Sequence, residues 1–279
     1  MSGFDPEWLS LREPVDHRSR ARGPRDACAR FCGGFERITV LDLGSGTGSN
    51  LRASWFHLPD WQDWCLVDHD PALLEAARRM LPTWACASRT DGERLALERS
   101  GKTLTVSFER ADLMTDVEGL IARRPDLVTA AAFFDLVSCA WIDRFADALA
   151  GSRLPLYAVL TYDGNARWEP GHPIDAKVNA AFNEHQTRNK GLGPAAGPQA
   201  TRHLVSALRA RGYAVEIGDS PWLLTRDDNR LIQSLANGIE QAVGETGLVP
   251  GETLAVWREA HSHPERCEIG HRDLFASPM

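Results

Sequence analysis

Two hydrophobic patterns alternate along the chain. Short continuous runs of β-branched and other apolar residues recur, and between them apolar residues return every three or four positions. The first pattern reads as strands buried on both faces, the second as amphipathic helices. Strands are predicted at 38–43, 63–68, 103–110, 126–131, 156–162, 213–218 and 266–275. Helices are predicted at 71–80, which opens on Pro71, and at 175–188 and 199–211. Two Asp-Leu-Val runs, at 126 and 135, compete for the fourth strand. Phe133, Leu136, Val137, Ala140, Trp141, Phe145, Ala148 and Leu149 keep helical spacing, which puts the second run in a helix and the first in the strand. Ahead of residue 38 the pattern predicts short helices, with a break at Gly23-Pro24 and a second helix, 25–31, that stops at Gly33-Gly34. Strands alternating with helices predict an α/β fold with a mostly parallel sheet, whose ligands sit at the carboxyl ends of the strands.

Composition narrows the class. The 279 residues are 43% hydrophobic, enough for a packed core in one large domain or about two. A net charge of −7 argues against a general nucleic-acid binder. No apolar run is long enough to span a bilayer, and the opening MSGFDPEWLS has acids where a signal peptide carries basic residues. Six cysteines are too few for a disulfide framework in a chain this long. The expectation is a soluble, cytoplasmic protein without nucleic-acid or membrane partners; a homodimer is left open.

The first strand runs into Asp42-Leu43-Gly44-Ser45-Gly46-Thr47-Gly48. Glycines let the backbone approach a ligand where a Cβ would collide. No Lys-Ser or Lys-Thr pair follows, so this is not a nucleoside-triphosphate loop. An acid two residues before Gly-x-Gly-x-Gly suits an amine-bearing, cationic ligand better than a pyrophosphate. Here the chain resembles the class I S-adenosylmethionine-dependent methyltransferases, and the resemblance covers about 38–160 well. It implies a seven-stranded, Rossmann-like sheet, the last strand lying antiparallel between the fifth and sixth. It implies an N-terminal helical cap at 1–37 on a core at 38–279, with a helical insertion at 163–198 forming part of the substrate site. It also implies S-adenosyl-L-methionine as cofactor. Asp42, Gly44, Ser45, Gly46 and Asn50 would line its first loop. Asp68 and His69, ending the second strand, would meet the ribose hydroxyls. Asp112 and Leu113 would border the adenine, and Thr129 and Ala130 the methyl donor.

Thr129-Ala130-Ala131-Ala132 lacks the Asp/Asn-Pro-Pro-aromatic pattern of nucleobase amino-methylating members, and Cys139 lies in a predicted helix rather than after proline. A small-molecule acceptor methylated at O, N or S is therefore expected. A non-catalytic cofactor-binding or partner subunit is the alternative, and a protein methyltransferase or a nicotinamide enzyme stands further behind. The stretch after the fifth strand is long for a connection, as binding elements often are. Asp163 and His185 are its candidates for orienting or deprotonating the acceptor, His185 because imidazole titrates near neutrality. Arg12, Asn165, Trp168, His172 and Asn183 are candidate acceptor contacts, and Trp8 or Trp168 could stack on the acceptor. Asn179, Asn183, Gln186 and Lys190 form the polar side of the 175–188 helix. His261, His263, Cys267 and His271 lack the paired close spacing of a zinc site, so no metal is expected. Cys28 and Cys32, four apart, read as packing.

Overall fold

The computed structural model describes residues 5–189, 191 and 193–279. Lys190 lies outside them. Two helices, α1 (Pro6–Arg18) and α2 (Arg22–Cys32), precede the first strand, β1 (Arg37–Leu43). Next come α3 (Ser49–Ser54), β2 (Trp61–Asp68), α4 (Pro71–Trp84), β3 (Ala87–Asp91), β4 (Arg94–Arg99) and β5 (Lys102–Arg110). The middle of the chain holds α5 (Val117–Ile121), β6 (Leu127–Ala131), α6 (Cys139–Ser152), β7 (Leu156–Glu169) and α7 (Asp175–Gln186). The last part holds α8 (Ala200–Ala210), β8 (Tyr213–Asp219), β9 (Trp222–Thr225), α9 (Asn229–Thr246), α10 (Gly251–Ala260) and β10 (Arg266–Pro278).

The strands form one sheet in the order β3-β4-β5-β2-β1-β6-β7-β10-β8, with β9 also paired to β10. β5, β2, β1, β6 and β7 run parallel, and β10 lies antiparallel between β7 and β8. Alternation along β1 divides the core. Leu41 and Leu43 join Val128, Ala130 and the apolar sides of α5, α6 and α8. Ile38 and Val40 join Leu66, Leu127 and Tyr157 under α2, α3 and α4. A third cluster packs α7, α9 and α10 on the distal halves of β7 and β10. Helix starts follow their caps: Asp70 accepts from Ala72 N at the head of α4, and Ser138 from Trp141 N at the head of α6.

The expected seven-stranded core is present, and three strands add to it. β3 and β4 form an edge hairpin turning at Gly92, φ 59°. β3 is exposed throughout, so it carries no hydrophobic period, and only Asp91-Gly92 marked the turn. The helix expected from Phe133 starts at Cys139; Phe134–Leu136 is a single 3-10 turn, and Val137 is extended before the Ser138 cap. The break among the first helices falls before Arg22, and Gly23-Pro24 makes the first turn of α2. β7 continues to Glu169, so the segment expected to begin the insertion at 163 is strand until 169. Tyr162, Gly164 and Trp168 are buried in β7 at even spacing, while Asp163, Gly164 and Asn165 resemble a turn in sequence. Among the described residues no helix is long and apolar enough to cross a membrane.

Candidate active site

The chain leaves β1 through three left-handed glycines, Gly44 (φ 62°), Gly46 (φ 53°) and Gly48 (φ 78°). A Cβ on Gly44 would lie 2.8 Å from Cδ2 of Phe133, which follows β6. Gly44→Ala is therefore expected to cost about 1–3 kcal/mol of stability, from strain and overpacking together. The measurement is the urea midpoint; an unchanged midpoint would contradict this packing.

Asp68 draws the loop onto the end of β2. Its Oδ2 accepts from Gly46 N at 2.8 Å and its Oδ1 from Asp70 N at 3.0 Å, while Ser45 N donates to Val67 O at 2.9 Å. His69 Nδ1 stands 3.4 Å from Asp68 Oδ1. Asp42, fully buried, accepts at Oδ1 from Asn50 Nδ2, 2.7 Å away. Asn50 Nδ2 also donates to the Thr129 hydroxyl at 3.0 Å, and that hydroxyl donates to Tyr157 O at 2.8 Å. Thr129 thus acts through Asn50 on the covered face of the sheet. Ala130 packs into the opposite core, and β6 ends one residue later at Ala131. Asp42 Oδ2, Ser45 Oγ and Thr47 Oγ1 are buried without a hydrogen-bond partner. Burial pushes the Asp42 carboxyl up to about 7, against the Asn50 hydrogen bond and the positive charge of Arg20.

Helix α1 lies across this loop. Leu9 Cδ1 is 3.4 Å from where a Gly46 Cβ would stand. Glu13 takes both the Nε and Nη2 of Arg52 at 2.6 Å, and Arg52 Nη1 donates to Thr47 O at 2.8 Å. His17 Nε2 is 3.1 Å from both Ser49 oxygens. Just beyond α1, Arg20 donates from Nε to Asp16 O at 3.2 Å, and its Nη1 is buried without a partner. A cavity of about 50 Å³, lined by His17, Arg20, Ser54, Thr129 and Tyr157 among others, separates these helices from the sheet.

The other candidates divide among several places. Asp112, exposed at the end of β5, caps a turn by accepting from Met114 N at 2.9 Å; Leu113 is buried beside it and accepts Trp141 Nε1 at 2.7 Å. Asp163 sits within β7, not at its end, accepting from Asn165 N and Nδ2 and facing Arg272 at 3.6 Å. Asn183 fastens α7 to β7, donating to Gly164 O and accepting from Tyr162 OH, each at 2.9 Å. His185 faces another element, with Nε2 2.9 Å from Glu245 Oε2 of α9. Trp168 and His172 belong to a distal cluster in which Trp168 stacks on His261 at 4.6 Å and His261 pairs with Asp175 at 2.7 Å. Asp163, His172 and His185 therefore do not converge: β7 is longer than expected, and α7 turns its polar residues toward two different partners. Arg12 does reach a common center, where its guanidinium lies 5.4 Å from the Trp222 ring beside His271. Trp222 and His271 were not assigned to any site from the sequence, though Arg12 was. Among the described residues no group of three or more His, Cys, Asp or Glu side chains is placed to hold a metal.

No protein-family model and no curated protein matches the sequence. Solved structures do match the fold. The cyclopropane synthase MmaA2 of Mycobacterium tuberculosis aligns with a TM-score of 0.52 at 10% identity, over 98% of this chain and 95% of that one. The YcgJ protein of Bacillus subtilis aligns at 0.51 and 11% identity, over 94% and 98%. A candidate methyltransferase of Bacillus halodurans aligns at 0.50 and 12% identity, over 91% and 99%. The fold is that of the class I S-adenosylmethionine-dependent methyltransferases, across nearly the whole chain.

Proposed function

We propose that this chain transfers a methyl group from S-adenosylmethionine to a small-molecule acceptor. One observation carries the reading. Near the end of β1 two buried atoms of opposite charge lack partners, Asp42 Oδ2 and Arg20 Nη1, and Arg20 acts electrostatically on Asp42. Leaving such groups unmatched is costly, so a ligand carrying both an ammonium and a carboxylate complements them. The amino-acid end of S-adenosylmethionine is such a group; the pyrophosphate of a dinucleotide would leave Asp42 unmatched. Each Asp68 oxygen holds one backbone N–H and keeps an acceptor position for a ribose hydroxyl. In this reading Asp112 and Leu113 would border the adenine, and Ala131–Phe133 the reacting end.

When bound, S-adenosylmethionine supplies an electrophilic methyl carbon on a sulfonium. An acceptor lone pair would take that carbon as the C–S bond broke, its electrons remaining on sulfur and any acceptor proton passing to solvent or a base. The protein's part is orientation and exclusion of water. Leu9 over Gly46 and the Glu13–Arg52 pair give α1 that place.

The test is calorimetric titration of the purified chain with S-adenosylhomocysteine, with NAD as control. Binding of the first alone, at micromolar levels, is expected, and a screen of acceptors with labelled methyl donor follows. Binding of NAD instead, or of neither by folded protein, overturns the reading; the second result favours a non-catalytic partner subunit.

The affinity should also depend on pH. To pair with an ammonium Asp42 must lose its proton, and its carboxyl is raised to about 7. S-adenosylhomocysteine affinity is therefore expected to rise up to about tenfold per pH unit below that value and to level off above it. Asp42→Asn flattens this profile. In the free protein the sign is opposite. A carboxyl raised on folding holds its proton more tightly when folded, so its stabilization is complete below about 4 and is lost as pH rises toward 7.

A further inference from the structure

We propose that the face of the sheet beside the amino ends of β1, β2 and β5 holds a second binding site, for a small multivalent oxyanion carrying two or more linked phosphoryl or carboxylate groups. The glycine loop leaves the opposite, carboxyl end of β1, so this site stands apart from methyl transfer. Alternation exposes it. Val40, Trp64, Leu104 and Val106 point into the core under α2, α3 and α4, and the residues between them point the other way. On that second face α5 clusters with Leu41 and Leu43, but its five residues make only about 7.5 Å of helix. Beyond its reach the face turns polar, with Thr39, Asp63, Thr105 and Ser107 where a covering helix would need apolar side chains. β4, paired to β5, widens the face and adds Arg94. A recess of about 390 Å³ remains between α5 and the strands, the size of a small-ligand pocket.

Arg37, Arg94, Arg123 and Arg124 line this recess. The acids around it are matched, and two of these cations are not. Arg37 donates to Asp63 from both Nε and Nη2. Arg123 donates to Glu109 from its two Nη atoms, at 2.5 and 2.7 Å. Asp126 accepts from Thr39 N at 2.8 Å and from Thr39 Oγ1 at 2.7 Å. Asp91 lies across the β3–β4 hairpin from Arg94 but pairs with Arg89, at 4.0 Å. Among the described residues the guanidiniums of Arg94 and Arg124 have no hydrogen bond or ion pair, and the Thr105 hydroxyl has none. The recess therefore offers donors and positive charge, and each carboxylate near it is already held.

The positions of the two free guanidiniums select the ligand. Arg94 enters from β4, and Arg124 from the turn that leads into β6. Those strands are four spacings apart in the sheet, about 19 Å, so the two side chains reach in from opposite sides. Two linked anionic groups can meet both; a single one favours one side. A guanidinium fork suits two oxygens of one phosphoryl or carboxylate group. A long polyanion such as a nucleic-acid strand would run on over a protein of net charge −7, whereas a small one stays within the recess.

The probes are pyrophosphate and citrate, with phosphate and acetate as their single-group counterparts, titrated calorimetrically into the full chain. At least one of the linked probes is expected to bind about tenfold or more tighter than its counterpart, and to weaken as salt rises. Whichever of pyrophosphate and citrate binds more tightly identifies the anionic group. Arg94→Gln and Arg124→Gln, both at exposed positions, should each lower that affinity about fivefold, the upper end for an exposed ion pair, and together about 25-fold. Arg202→Gln, exposed on α8, should leave it unchanged, as should Arg20→Gln beside Asp42. Linked probes that bind no more tightly than their counterparts overturn the proposal, whatever the variants do. So does a double variant of Arg94 and Arg124 that binds like wild type. Loss of binding in Arg20→Gln instead places the anion at the glycine loop and also overturns it. Cofactor binding is read separately with S-adenosylhomocysteine, so neither result decides the other.

Discussion

Asp68→Ala is expected to lower S-adenosylhomocysteine affinity by about 100-fold or more. A carboxylate accepting two ribose hydroxyls makes two charge-assisted hydrogen bonds, each typically contributing about 1.5–3 kcal/mol, and ten-fold in affinity is about 1.4 kcal/mol. The same substitution frees Gly46 N and Asp70 N, so the glycine loop loses its tie to β2 as well as its ligand contact. Adenosine, which carries the ribose but no amino-acid group, should lose affinity by a similar factor. Asp68→Asn keeps the shape and one acceptor oxygen but sets an amide N–H against a backbone donor; its loss should be nearer tenfold. Circular dichroism establishes that the variants are folded, and calorimetry gives the affinities. A folded Asp68→Ala protein that binds within threefold of wild type would remove Asp68 from the cofactor site.

The place of Asp68 at the end of β2 was legible in the sequence because its neighbors leave little choice. A strand ending Leu66-Val67-Asp68, beside another ending in Asp42 and a glycine turn, puts both acids at the same edge of a parallel sheet. The central strands β1, β6 and the first half of β7 were readable because they are buried in continuous runs and written in apolar residues. What escaped lies where one face is exposed or where the partner is distant in sequence. β3 has no buried side chain to mark it. Trp222 lies in a four-residue strand held by β10, and its indole is fixed by Asp16, 206 positions earlier. Arg20 has no local pattern at all, and its position opposite Asp42 follows only from how α1 and α2 cross the sheet. His185 misled because titration range identifies a residue type, whereas its place is set by Glu245 on α9.

The same limit hid the residue whose loss should destabilize the fold most. Asp273→Ala is expected to cost about 3–5 kcal/mol, a large part of the roughly 5–15 kcal/mol that holds a typical domain together. Asp273, fully buried in β10, accepts from Leu160 N at 2.7 Å and Ser220 Oγ at 2.6 Å through Oδ1, and from Ala21 N at 2.8 Å through Oδ2. Its place follows from irregular backbone. The β7–β10 register shifts between Arg272 and Leu274, and Leu160 adopts φ 55°, so the regular ladder does not take the Leu160 N–H. The carboxylate takes it instead, and in doing so joins β7, the start of α2 and the turn before β9. Burial raises its pKa while Arg20 and these three donors oppose the rise. Alanine leaves three donors without acceptors, each costing about 1–3 kcal/mol, offset in part by water entering the space. Asn keeps one acceptor oxygen but turns an N–H donor toward Ala21 N or the Leu160–Ser220 pair, so Asp273→Asn should fall between wild type and alanine. Urea unfolding of the three proteins at one pH gives the order directly. If Asp273→Ala unfolds within about 1 kcal/mol of wild type, the donors have other acceptors and the carboxylate is not what joins β7 to α2.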